Sequence, residues 1–231
     1  MDGAEASYLA RWELDGVGGV VVAIDVLRAF TTAAYAFAAG ASSIWLVAGV
    51  DEAIALGRQI PGALVMGEDR GRRPPGFDLS NSPVAVTRAD VEGRVLVQRT
   101  SAGTQGAIAA TRADRLFAAS LVCASATAAA VESTGLGAPT YVITGRFPDH
   151  PDGGEDDLLT AELIERARTG RPLDAAATAE AVASSPEAAR TLAVGEGNVD
   201  PEDIAYATAV DRFDFAMEVE RVDGRLRLLR F

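Results

Sequence analysis

The chain contains no lysine; all 21 of its basic residues are arginine. Schiff-base catalysis and the phosphate-binding lysine of a P-loop are therefore both excluded. Histidine occurs once, at His150, so a site built from several histidines cannot form. Cysteine also occurs once, at Cys123, which rules out an internal disulfide and a cysteine-cluster zinc site. By type, Cys123 reads as a small buried hydrophobe and His150, between Asp149 and Pro151, as a loop residue. No apolar run approaches the roughly 20 residues that span a bilayer, and the N-terminal stretch lacks the basic start and apolar segment of a secretory signal. The expectation is a cytoplasmic protein with no membrane partner. Positive charge is scarce too: 21 arginines face 33 aspartates and glutamates, a net charge of −12. That field repels nucleic acid. A phosphorylated substrate meets the same repulsion and needs a local arginine pocket or a bound cation. Acid–base and metal work then falls to carboxylates, which favour hard cations such as Mg²⁺.

Among the residues present, Val20 to Thr32 is the most informative stretch. The apolar run Val20-Val21-Val22-Ala23-Ile24 reads as a buried strand and ends on Asp25. Arg28, Thr31 and Thr32 follow where an alanine-rich helix begins. A carboxylate, a guanidinium and helix N-terminal amides thus meet at a strand's carboxyl end, where open α/β sheets bind ligands. The purely structural alternative is that Asp25 caps the helix and Arg28 pairs with a surface acid.

Strand and helix patterns alternate along the chain. Strands are expected at Val17–Asp25, Ile44–Ala48, Ala63–Gly67, Arg94–Thr100, Arg115–Ala119 and Thr140–Thr144. Helices are expected at Thr31–Ala39, from an Asp51 cap to Gln59, at Gly103–Ala110, Ser125–Ser133 and Leu158–Arg168. Two or three alanine-rich helices lie between Asp174 and Arg212, and Val222-Asp223-Gly224 joins a closing β-hairpin. The pattern predicts an α/β fold: a layered sheet with helices on both faces, in one domain covering 1–231.

Polar clusters sit where these strands end. They are Gly67-Glu68-Asp69-Arg70-Gly71, Gly76 to Pro83 with Asn81 and Ser82, Thr100-Ser101-Ala102-Gly103-Thr104, and Gly153 to Asp157. Ordinary explanations exist: Ser82 or Asn81 can cap a helix opened by Pro83, and Glu155, Asp156 and Asp157 suit a helix dipole. Together, however, separated carboxylates and glycine-rich hydroxyl turns are the parts for one Mg²⁺ and one phosphate.

The segment Asp25 to Thr32 resembles the D-V-x-R-A-[ST]-T-T motif of the 2-phosphosulfolactate phosphatase family. Gly67 to Gly71 is similar to its G-E-R-x-G, Gly76 to Pro83 to its G-F-D-x-G-N-S-P, Thr100 to Thr104 to its T-T-N-G-T, and Glu155-Asp156 to its late E-D. The resemblance covers Val20 to Arg168. It implies an α/β phosphomonoester hydrolase dependent on Mg²⁺, converting 2-phospho-3-sulfolactate to 3-sulfolactate and phosphate. Two positions depart: Ala102 stands where the family has Asn, and Cys123-Ala124-Ser125 where Asn-Ala-Ser is expected. Both remove amide side chains and leave the substrate's identity open.

On this reading Asp25 and Glu68 bind Mg²⁺ directly or through water, with Asp156 as a third ligand. Asp25, Arg28 and Glu68 are the catalytic set, and Arg28 with Arg70 holds the phosphoryl oxygens. Thr31, Thr32 and Thr104 donate hydroxyl or amide hydrogen bonds to phosphate, Thr100 and Gly103 complete the substrate-binding set, and Asn81 and Ser82 shape the loop and contact substrate. The partner is a small phosphorylated anion, and the expected oligomer is a homodimer. Two alternatives stay open: a homologue that binds an anion without turnover, and a scaffold using the alanine-rich C-terminal half.

Overall fold

The structure is a computed structural model and describes residues 5–172 and 174–231. The first half holds β1 (Ser7–Leu9), β2 (Val20–Ile24), α1 (Ala29–Ala38), β3 (Ser43–Leu46), α2 (Val50–Gln59), β4 (Leu64–Gly67), β5 (Leu79–Ser80) and α3 (Pro83–Thr87). Next come β6 (Val95–Arg99), α4 (Gly103–Ala109), β7 (Arg115–Ala119), α5 (Ala124–Ser133), β8 (Thr140–Ile143) and α6 (Glu155–Arg168). The chain ends with α7 (Ala175–Ala183), α8 (Pro186–Ala193), α9 (Asp203–Ala207), β9 (Met217–Val222) and β10 (Arg225–Arg230). The α/β class and the closing hairpin match the sequence expectation. Among the described residues, no helix is long and apolar enough to cross a membrane.

Strand β2 shows why the sheet is covered on both sides. Its five residues are all buried, and successive side chains enter different cores. Val21 and Ala23 join a cluster with Phe30, Ile44, Leu96 and Met217, under α1 and α4. Val20, Val22 and Ile24 join Phe117, Tyr141, Ile143 and Ile164, under α5 and α6. Alternation at period two gives a continuous apolar run when both faces are packed. Each large side chain contributes about 1.5–3 kcal/mol on burial, so register is set here.

The strand order is β1-β8-β2-β7-β9-β10-β3-β6-β4-β5, so the C-terminal hairpin lies inside the sheet, not at its edge. Strands β1, β8, β2 and β7 are mutually parallel, as are β3, β6, β4 and β5. The three pairings β7–β9, β9–β10 and β10–β3 are all antiparallel, so the two halves run in opposite senses. The hairpin's alternation makes it a one-faced element: Met217, Val219, Leu226 and Leu228 face the core. Glu218 pairs with Arg115 and Glu220 with Arg227 on the other face. Its turn has positive φ at both Asp223 (50°) and Gly224 (78°), the tight turn that matches strand twist.

Several boundaries differ from expectation. Helix α6 begins at Glu155, α1 at Ala29 and β2 at Val20. Helix α2 is capped at Gly49 with Asp51 already inside its first turn. Strand β5 lies within the polar cluster from Gly76 to Pro83, where no strand is expected from the sequence and where Asp78 pins β4 by accepting from the Val65 N–H at 2.8 Å.

Candidate active site

Asp25 follows β2 directly. Its backbone N–H continues the ladder to the Ala119 carbonyl at 3.2 Å, and its Oδ1 accepts from the Ala29 N–H at 2.8 Å. The side chain therefore caps α1 and also lines a cavity of about 750 Å³. Gly103 makes this possible: a Cβ there would stand 2.7 Å from Asp25 Oδ2 and 2.7 Å from the Ala29 methyl. Burial raises the Asp25 pKa to about 6; the neighbouring Glu68 charge adds to the rise, while backbone N–H groups and Arg28 oppose it.

Glu68 reaches the same cavity from the opposite half of the sheet. It follows Gly67, where φ is +132° and a Cβ would sit 1.9 Å from the Arg99 carbonyl oxygen; only glycine lets β4 end this close to β6. Glu68 Oε1 accepts from the Ser101 N–H at 2.5 Å, and Oε2 from the Ser101 hydroxyl at 3.0 Å and the Gly71 N–H at 2.6 Å. The strand ends bearing Asp25 and Glu68 run in opposing directions, so no single open-sheet crevice could hold both. Curling of the sheet joins them: β3, β4 and β6 share one core cluster with β2.

The first turn of α6 divides its three acids by face. Glu155 is exposed, whereas Asp156 and Asp157 are buried and line the cavity. Asp157 ties two strand ends together, accepting from Val26 N–H at 3.0 Å, Gly145 N–H at 2.9 Å and the Thr144 hydroxyl at 3.2 Å. Burial, with the charges of Asp156 and Asp25, holds its pKa well above the usual carboxylate range. Asp156 is pushed up to about 8, by burial first and then by Asp25 and Glu187. Glu187, on α8, was not anticipated from sequence, because an alanine-rich surface helix carries no motif.

The arginines differ in how far they are committed. Arg28 is 3% exposed and its partner is not a surface acid: Nη1 donates to Asp203 at 2.6 Å and to the Asn198 carbonyl at 3.0 Å. Asp203 also accepts from Ser82 Oγ at 2.6 Å, Val84 N–H at 3.3 Å and Asp200 N–H at 3.0 Å. Arg28 still contributes to the cavity wall, as do Arg70, Arg190 and His150. His150 closes a turn onto Phe147 that brings it to the rim.

Of the hydroxyls expected on the substrate, those of Thr31, Thr100, Thr104 and Ser82 bond within the protein, while Thr32 Oγ1 is buried without a partner among the described residues. Thr31 donates to the Val26 carbonyl at 2.7 Å, a bond available to a residue in a first helical turn, and Thr32 is wholly buried. Thr100 and Thr104 bond each other: Thr100 N–H donates to Thr104 Oγ1 at 2.9 Å, and Thr104 N–H to Thr100 Oγ1 at 3.0 Å. Ser82 caps α3 and serves Asp203. None of these lines the cavity, and Gly103 acts through its lack of a side chain; Asn81, Ser101 and Ala102 do line it. Cys123 is wholly buried and lies off the wall, its thiol pKa raised by burial.

Among the described residues, no three His, Cys, Asp or Glu side chains are gathered closely enough to cage a metal ion. Asp25, Glu68 and Asp156 are nevertheless hard oxygen donors on one cavity. Mg²⁺ takes one or two carboxylates and completes its shell with water and substrate phosphate, so this donor set fits that ion.

A family model described as 2-phosphosulpholactate phosphatase matches residues 9–221. A probable 2-phosphosulfolactate phosphatase of Bacillus subtilis (strain 168) is 37% identical over 206 residues, 89% of this chain and 88% of the relative. A protein of the same description from Thermotoga maritima is 31% identical over 205 residues, 83% of this chain and 85% of its own length. One from Thermoplasma acidophilum is 29% identical over 214 residues, 92% of this chain and 90% of that protein. With a match spanning nearly the whole sheet, the chain belongs to the 2-phosphosulpholactate phosphatase family.

Proposed function

We propose that the chain hydrolyses a small anionic phosphomonoester with the help of Mg²⁺, and that the ester is 2-phospho-3-sulfolactate, released as 3-sulfolactate and phosphate. The observation that carries this reading is the meeting of Asp25 and Glu68, from oppositely running halves of the sheet, on one arginine-edged cavity. The relatives' descriptions supply the substrate.

Asp25 and Glu68 would hold the ion, with Asp156 reaching it through water. When bound, the ion neutralises phosphoryl charge and acidifies a coordinated water. The rest is done by the chain. Glu68 is fixed by the Ser101 and Gly71 donors, so its remaining lone pairs are already aimed. Arg28, immobilised by Asp203, presents a fixed cation that offsets charge growing on the leaving oxygen. Asn81, 4% exposed and with its Oδ1 unpartnered, offers an amide to the substrate at the cavity wall.

The test is phosphate release by Asp25→Asn with Mg²⁺ and with chelator. The substitution keeps shape and removes charge, and a loss of at least about 100-fold is expected. Unchanged turnover would overturn the assignment. A binding protein without turnover is the second reading, favoured by Ala102, whose methyl lines the cavity where an amide is expected. Thermal stabilisation by substrate without phosphate release would select it.

A further inference from the structure

The cavity is edged by two further arginines: Arg70, expected from the sequence beside Arg28 on the phosphoryl oxygens, and Arg190, which no motif marked. Arg70 follows Glu68 in a turn with φ of +50°, its N–H donating to Ser101 Oγ at 2.9 Å. Its guanidinium has no ion pair and no hydrogen-bond partner among the described residues, yet it lines the cavity. The backbone is pinned while the charge is free. Arg190 comes from α8, which also lines the cavity. Its Nη2 lies 2.5 Å from Glu187 Oε1, an oxygen that also accepts the Gly154 N–H at 3.1 Å. Glu187 Oε2 is buried without a partner.

The two arginines share one lip. A Cβ on Gly71, the neighbour of Arg70, would stand 2.9 Å from Val194 Cγ2. Val194 lies four residues beyond Arg190, on the same side of the helix. The turn and the helix that carry the two cations are therefore packed against each other. In a chain of net charge −12, with Asp25, Glu68, Asp156, Asp157 and Glu187 on this wall, two cations at its mouth are the exception. An arginine pair presents forked donors that match a carboxylate or sulfonate.

We propose that Arg70 and Arg190 clamp a second anionic group on the leaving-group side of the substrate, so that phosphate esters of hydroxy acids are selected over those of neutral alcohols. The proposal rests on the phosphatase reading for the position of the phosphate and adds the residues that choose the ester. Glu187 is a positioning residue: anchored by Gly154, it holds Arg190 at the lip until an anion takes the guanidinium.

Two near-isosteric esters isolate the clamp: 2-phosphoglycolate carries a carboxylate where 2-hydroxyethyl phosphate carries an alcohol. Wild type is expected to prefer the acid. In Arg70→Gln and in Arg190→Gln the ratio of kcat/KM for the two esters should fall about 10- to 100-fold, through KM for the acid, as loss of a charged hydrogen bond dictates. Glu187→Gln should lower the same ratio, again in KM and not in kcat. If Arg190 serves only its i,i+3 pair within the helix, melting temperature moves and the ratio does not, which refutes the clamp. The same variants are compared by thermal shift with phosphoglycolate and with inorganic phosphate. A wild-type excess of stabilisation by phosphoglycolate, lost in the variants, supports the clamp even without turnover, in which case only the phosphatase reading fails. Turnover with an unchanged ratio overturns the clamp alone; absence of both turnover and differential binding overturns both.

Discussion

Removing the carboxylate of Asp203 should be among the most damaging single changes to this fold. Arg28 and Asp203 are 3% and 0% exposed and meet at 2.6 Å. Asp203→Ala leaves a buried guanidinium with only the Asn198 carbonyl as partner and strips an acceptor from Ser82, Val84 and Asp200. Breaking a buried pair from one side costs about 3–5 kcal/mol, and the three orphaned donors place this case at the upper end. Arg28→Ala leaves the carboxylate its other donors, so about 3 kcal/mol is expected. The double variant loses both charges together. It should cost about as much as Asp203→Ala alone, giving a coupling of about 3 kcal/mol. Urea unfolding of the four proteins, read as midpoints with a common slope, measures the cycle. Additive losses, or single losses below about 1 kcal/mol, would refute the claim that this pair is a desolvated, mutually dependent unit.

Gly103→Ala puts a methyl 2.7 Å from Asp25 Oδ2 and should displace that carboxylate. A cost of about 1–3 kcal/mol in stability is expected, together with a loss of about 100-fold in kcat/KM; wild-type kinetics would show that Asp25 tolerates the shift. In chelator, stability should fall as pH rises from about 4 to about 8. The folded chain keeps protons on Asp25 (to about 6) and Asp156 (to about 8) that the unfolded chain releases near the usual carboxylate value. Asp156→Asn should flatten the part of that slope between pH 6 and 8, as read from unfolding midpoints, and an unchanged slope would remove Asp156 as its source.

The strand ends were legible because each apolar run stops abruptly on a polar residue. Val20 to Asp25 and Leu64 to Glu68 announce both the strand and the side chain beyond it. The roles of the hydroxyls were not, since a threonine in a first helical turn can serve a local carbonyl as readily as a ligand. Thr31 does so. Long-range partners left no trace: Asp203 stands 175 residues from Arg28, and no local pattern marks it as buried. Glu187 and Arg190 sit in a helix with the ordinary composition of a solvated surface. The hairpin was readable from Asp223-Gly224, but its place in the sheet was not, because register between distant strands depends on which faces remain uncovered.

That placement bears on how the chain must assemble. Until β9 and β10 emerge, the nascent chain carries two separate parallel half-sheets, each with an inner edge, at β7 and at β3, open to unwanted pairing. Strands β9 and β10 are the keystone that joins them and reverses one against the other. Closure of the sheet around the cavity therefore depends on β9 and β10. A truncation that removes β9 and β10 spares every side chain at Asp25, Glu68 and Asp156 yet leaves the inner edges of β7 and β3 uncovered and prone to aggregate.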